Sequence, residues 1–110
     1  AKASKVRLRL KMADLPLFDE ALAMYDKGMS TGVNGHNEKL IAAHLEYEKN
    51  FSTSQKQMIL DPQTSGGLLA ALPADQAADL VRELSQIPTP AAAIIGEVIS
   101  SGEKPGLVVS

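Results

Sequence analysis

Leu60-Asp61-Pro62-Gln63-Thr64-Ser65-Gly66-Gly67-Leu68-Leu69 is the stretch of this 110-residue chain on which the reading of its fold turns. Asp61 and Pro62 open a turn, Gln63, Thr64 and Ser65 fill it with hydrogen-bonding side chains, and Gly66 and Gly67 let the backbone take positive φ or approach a ligand closely. The apolar run that follows, residues 68–72, reads as a strand buried on both faces. A rigid element with a polar, glycine-containing loop at its entrance is therefore expected. Such a loop offers backbone N–H groups and two hydroxyls to an anion, as concave backbone nests do. It is neither a Walker A loop, since no Gly-Lys-Ser or Gly-Lys-Thr follows the glycines, nor a dinucleotide Gly-x-Gly-x-x-Gly turn. The plainer alternative is a tight turn in which Asp61 bonds its own backbone and the glycines serve geometry alone.

Outward from this loop the chain alternates strands and helices. Val6, Leu8, Leu10 and Met12 alternate with Lys5, Arg7, Arg9 and Lys11, which predicts a strand with one apolar and one basic face. Asp14 and Pro16 open a predicted helix with a Leu15, Phe18, Leu22, Tyr25 stripe, closed by Lys27 and Gly28. A second helix is expected over 37–48 with Asn37 as its N-cap, and Ser52 with Gln55 has the form of a capping box that starts a third. Ala77, Leu80, Val81 and Leu84 give an amphipathic helix over 74–86, ended by Pro88 and Pro90. Residues 92–99 read as a buried strand, with a turn at Gly102 leading to an antiparallel strand at 107–109. The series from 67 to 99 then makes a crossover unit. The expected class is α+β, with helices packed on a mixed sheet of four strands or a similar number.

Composition agrees with one ordinary domain, residues 1–110, whose hydrophobic content is 45%. With no cysteine there is no thiol nucleophile and no disulfide framework. A net charge of -2 gives no general attraction to nucleic acid, and no apolar run approaches the roughly 20 residues a membrane span needs. His36 and His44 fall on no metal-ligand spacing, so no metal site is assigned. The basic stripe of the first strand is read as a solvated or covered face rather than a polyphosphate site.

The string from Asp61 to Leu69 resembles the signature of the C-terminal domain of the selenophosphate synthetases, also called selenide, water dikinases, within the aminoimidazole ribonucleotide synthetase-like superfamily. Related members of that superfamily usually carry Asp-Pro-Thr-x-Gly-Gly, so Gln63 and the Thr64-Ser65 pair point to the selenium enzymes. Asp14-Leu15-Pro16-Leu17 with Ala21-Leu22, and Ala91 through Val98, are similar to further segments of the family, so the resemblance spans essentially the whole chain. One stretch departs: where the family commonly reads Pro-Gly-Gly-Thr-x-x-Asn, this chain reads Thr31-Gly32-Val33-Asn34-Gly35-His36-Asn37.

The resemblance implies a layered domain, partly like a ferredoxin fold, from an enzyme that converts ATP, selenide and water to selenophosphate, AMP and orthophosphate. It implies Asp61, Gln63, Thr64, Ser65, Gly66 and Gly67 as a cleft-facing loop, with Gly32, Asn34 and Asn37 as a second candidate loop. ATP and Mg would be bound mostly by ligands outside this chain, on an N-terminal ATP-binding domain of the same enzyme. The reactive cysteine or selenocysteine, the lysine and the metal-binding aspartates of that domain are not in this sequence, so these residues alone are expected to be inactive. A homodimer in the cytoplasm, with no nucleic acid or membrane partner, is the further expectation. Two alternatives stand beside it: a domain of another ATP-binding synthetase of the superfamily, and a non-enzymatic anion-binding or interaction module.

Overall fold

The alternating segment near the N-terminus forms strand β1, Val6–Leu10, and it organises a four-stranded mixed sheet. The structure is a computed structural model that describes residues 1–89, 91–101, 104 and 106–110. The other strands are β2, Leu45–Tyr47; β3, Gly96–Ser101; and β4, Gly106–Val109. Their order is β2-β4-β1-β3. β4 runs parallel to both β1 and β2, with Leu8 opposite Leu107 and Leu45 opposite Leu107, while β3 lies antiparallel to β1. The helices are α1, Ala21–Asp26; α2, Asn34–Ile41; α3, Thr53–Ile59; and α4, Ala74–Leu84, with single 3-10 turns at Met12–Asp14 and Ala42–His44. The α+β class and the mixed sheet of four strands are those the sequence predicts.

Period two gives β1 two chemically distinct faces, and the two arginines of the charged one are paired with glutamates of β3, of β2 and of the residue that follows β2. Arg7 pairs with Glu46, and Arg9 reaches Glu48 at 3.1 Å and Glu97 at 3.0 Å. Lys104 also approaches Glu46, at 3.4 Å. The hydrogen bond from Arg7 is the largest influence holding the Glu46 carboxyl below its ordinary value. Those partners explain why residues 45–47 are a strand although 37–48 reads as a helix. Leu45 and Tyr47 alternate with Glu46 and Glu48, so extended backbone sends both glutamates to the arginine face and both apolar side chains away from it. The helix begins earlier, at Asn34, and stops at Ile41; Asn37 lies inside it instead of capping it.

Other boundaries moved for similar reasons. The stripe from Leu15 to Tyr25 does not form one helix: α1 starts only at Ala21, Phe18 is 89% exposed, and the segment closes at Gly28 with φ 79°. The Ser52 capping box is present in both directions, Gln55 N to Ser52 Oγ at 3.2 Å and Ser52 N to Gln55 Oε1 at 2.9 Å. α4 matches its predicted span to within two residues. The turn at Gly102 and the stop at Pro90 lie outside the described residues.

The largest correction concerns residues 68–72. They pair with no strand; Leu68 is fully exposed and Leu69 is 77% exposed. The crossover unit from 67 to 99 therefore does not form, and the position beside β1 and β2 is taken by β4, which lies inside the sheet instead of extending β3 as an antiparallel neighbour. Val108 and Val109 are the buried residues of that strand and, with Met12 and Leu60, make up the fully buried apolar core among the described residues. The radius of gyration, 14.8 Å, exceeds the about 13 Å of a close-packed chain of this length. That excess agrees with the apolar surface left uncovered at residues 68–72.

Two expectations test this packing by chemical denaturation. Leu60→Ala should cost about 2–5 kcal/mol, as a buried leucine truncated to a cavity does, whereas Leu68→Ala should change stability by less than about 0.5 kcal/mol. Gly96→Ala should loosen the β1–β3 pairing, because its Cβ would lie 2.0 Å from the Arg9 carbonyl oxygen.

Candidate functional site

The candidate loop is mounted on a capped helix. The capping box fixes the start of α3, and Leu60, 3% exposed, anchors its end, so Asp61 leaves the helix from a set position. Asp61 and Pro62 are half-buried, and residues 63–67 are exposed. The Gly66 amide donates to the Gln63 carbonyl at 3.3 Å, which closes the turn. Positive φ belongs to Ser65, at 59°, and not to either glycine. Gly66 is needed for a different reason: a Cβ there would stand 2.9 Å from the Gln63 Cβ. Among the described residues no hydrogen bond engages the Thr64 or Ser65 hydroxyls, and both residues are exposed.

Behind the loop lies a polar cluster that joins both candidate loops. Asn34 is 1% exposed, the one fully buried polar side chain among the described residues. Its amide nitrogen donates to the Tyr25 hydroxyl at 3.3 Å, to the Gln57 carbonyl at 3.1 Å and to Gln57 Oε1 at 2.9 Å, and its oxygen accepts from the Thr31 hydroxyl. The Tyr25 hydroxyl donates to Asp61 Oδ1 at 2.5 Å, and Gln63 Nε2 donates to Asp61 Oδ2 at 3.2 Å. Asn37 donates to the Leu60 carbonyl at 2.8 Å, satisfying an acceptor at the end of α3. Asn34, Asn37 and Asp61 are thus brought together, while Thr64 to Gly67 project away and Gly32 has no side chain to contribute. Tyr25, Thr31 and Gln57 are participants the sequence reading missed. Tyr25 was assigned to an apolar stripe, and no local pattern links residues 36 apart.

Asp61 is held in place by the chain itself. Both of its oxygens are occupied by donors from the chain, and no group of three or more His, Cys, Asp or Glu side chains comes together among the described residues. The residues present therefore do not make up a magnesium site. What they present is an exposed turn, backed by the Asp61 cluster, whose two hydroxyls carry no hydrogen bond among the described residues. Burial, followed by the hydrogen bond to Asp61, raises the Tyr25 phenol above its ordinary value, with Asn34 pulling the other way.

The fold and the loop together define an α+β domain with a glycine-containing signature turn presented at its rim. No family model matches the chain. It is 37% identical over 109 residues to the selenide, water dikinase of Bdellovibrio bacteriovorus, covering 94% of this chain and 29% of that protein. It is 33% identical over 109 residues to selenide, water dikinase 2 of Peptoclostridium acidaminophilum, covering 99% of the chain and 31% of that protein. The match to the selenide, water dikinase of Rhizobium meliloti is 32% identical over 96 residues, 87% of the chain and 28% of the relative. No solved structure matches. The chain belongs to the selenide, water dikinase family and corresponds to the C-terminal part of its larger members. It spans about three tenths of the length of these relatives. No helix among the described residues is long and apolar enough to cross a membrane.

The Tyr25 environment has a measurable signature. Absorbance titration in a Tyr47→Phe background should show Tyr25 ionising above the usual tyrosine value of about 10, and Asp61→Asn should move it back down. Since the folded value is raised, the stabilisation from the neutral phenol is complete below about pH 10 and is lost as pH climbs through the folded value.

Proposed function

We propose that the chain is the C-terminal part of an ATP-dependent enzyme that forms selenophosphate, AMP and orthophosphate from selenide, ATP and water. The observation that supports this most directly is the identity to selenide, water dikinases along nearly the full chain, together with the exposed presentation of the Gln63 to Gly67 turn. ATP and Mg would be bound mainly by residues outside this chain; among the described residues no three His, Cys, Asp or Glu side chains come together. Magnesium would supply charge neutralisation of the phosphates, and this chain's residues would do something simpler. The Thr64 and Ser65 hydroxyls and the turn's amides donate hydrogen bonds to an anionic group lying in the cleft, and they do so from fixed positions. The turn is exposed here because its counterpart would be the nucleotide-binding portion of the longer protein. Leu68 and Leu69, next in sequence and open to solvent, supply apolar surface for that portion to cover.

By itself this chain has no means of clamping a transferring phosphoryl group, so it is inactive alone. The full-length enzyme would act in the cytoplasm, as a homodimer. The test is selenide-dependent AMP formation. The 110-residue chain should give none, and in the longer protein Ser65→Ala and Thr64→Ala should each lower the rate by about tenfold or more with the denaturation midpoint preserved. AMP formation by the chain alone, or unchanged rates in both variants, would contradict the proposal. Ser65→Ala is the cleaner probe than any change at Gly66, where the contact with Gln63 would mix strain with chemistry.

A further inference from the structure

The cluster behind the signature loop runs in one direction. Asn34 donates to Tyr25, Tyr25 donates to Asp61, and Gln63 donates to the other Asp61 oxygen, so every hydrogen points toward the carboxylate at the loop's first residue. The direction is fixed at its buried end. Asn34 spends its oxygen on Thr31 and its amide nitrogen on acceptors from α3 and α1, so the carboxamide cannot flip without setting its oxygen against the Gln57 carbonyl oxygen, acceptor facing acceptor. Tyr25 must then use its own hydrogen on Asp61. Asp61 in turn holds Gln63, whose carbonyl accepts the bond from Gly66 that closes the turn. An unbroken series of hydrogen bonds thus leads from a side chain 1% exposed to a turn that is entirely exposed.

We infer that Asn34 and Tyr25 are positioning residues for the Gln63 to Gly67 turn, acting through Asp61 rather than touching the ligand themselves. The inference deepens the proposed function and rests on that reading for the turn's ligand, though not for the turn's order. It accounts for the burial of a carboxamide among α1, α2 and α3. Residue 34 is an amide able to donate to Tyr25 and α3 together, which a single hydroxyl hydrogen cannot do. It also gives the second candidate loop a role without any contact to ligand: residues 31–37 hold the back of the first.

The experiment is carried out on the 110-residue chain, with backbone 15N relaxation as the primary readout and inorganic pyrophosphate as the anionic probe. Tyr25→Phe removes the donor to Asp61, and Asn34→Asp keeps the shape but replaces the donating amide by an acceptor. Order parameters of Gln63 to Gly67 should fall from about 0.85 to below about 0.6 in both variants, while those of Val6 to Leu10 stay at the wild-type value. Tyr25→Phe combined with Asp61→Asn should loosen the turn no further than either change alone, because both cut one series. Tyr47→Phe, which removes a phenol elsewhere, should leave the turn unchanged. Pyrophosphate-induced shifts at Ser65 to Gly67 should need about tenfold more ligand in Tyr25→Phe than in wild type. An unchanged turn in both variants, or loss of order in β1 together with the turn, would overturn the inference by making the cluster inert or merely structural. If the wild-type chain shows no shift with pyrophosphate while the variants lose loop order, the anion reading fails and the positioning role stands.

Discussion

The insertion of β4 between β1 and β2 is the constraint from which the rest of this structure follows. A strand with neighbours on both sides must satisfy its backbone twice over and bury its side chains, and Val108 and Val109 are accordingly among the least exposed residues. β1 and β2 do not touch as neighbours in the sheet; their glutamate and arginine side chains meet across the face of β4. The charge matching is therefore a consequence of strand order. Arg7 and Arg9 are close to Glu46 and Glu48 only because β4 holds the two flanking strands parallel and in register.

The second layer is built on a different principle. α1, α2 and α3 are short, and none carries a fully buried apolar side chain within its span; the buried residue they share is Asn34. Polar groups in such a position specify one arrangement because any other leaves hydrogen-bonding capacity unmet, at a cost comparable to the bond itself. Here the specified arrangement includes the exit of the chain from α3. The candidate loop inherits its geometry from a packed interior although its own residues lie at the surface. This combination suits a group that must meet something outside the domain without rearranging first.

Legibility in the sequence followed the range of the interactions. β1 was legible because strict alternation over eight residues has no helical reading, and α4 because its apolar positions recur at helical spacing. The Ser52 capping box was legible because both partners sit within one turn. β2 was not: Leu45, Glu46, Tyr47 and Glu48 suit a helix end as well as a strand, and the arginines that decide the matter lie 39 residues away. Residues 68–72 failed in the opposite sense. Their composition demands burial, and the interior position it implies is filled by residues 106–109, a competition that no local pattern records. Of the site, the loop and its exposure followed from residue types, whereas its attachment to Tyr25 and Asn34 arises only when α1, α2 and α3 pack together. The family resemblance was legible from the signature itself and holds along the chain.

The order of strands also bears on how the molecule is made. β1 and β2 emerge early from a ribosome but have no common partner until residues 106–109 follow, so the sheet cannot zip progressively as a hairpin series would. Its two parallel ladders both wait on segments far apart in the chain, and the entropy of closing such loops is met before any pairing repays it. Until then the apolar faces of β1 and β2 remain open, and Leu68 to Leu72, apolar and exposed, is the nearest segment in chain order able to lie against them. Synthesis thus passes through an interval in which a competing apolar segment is available and β4 is not. A chaperone that engages extended apolar segments would find its substrate in that interval.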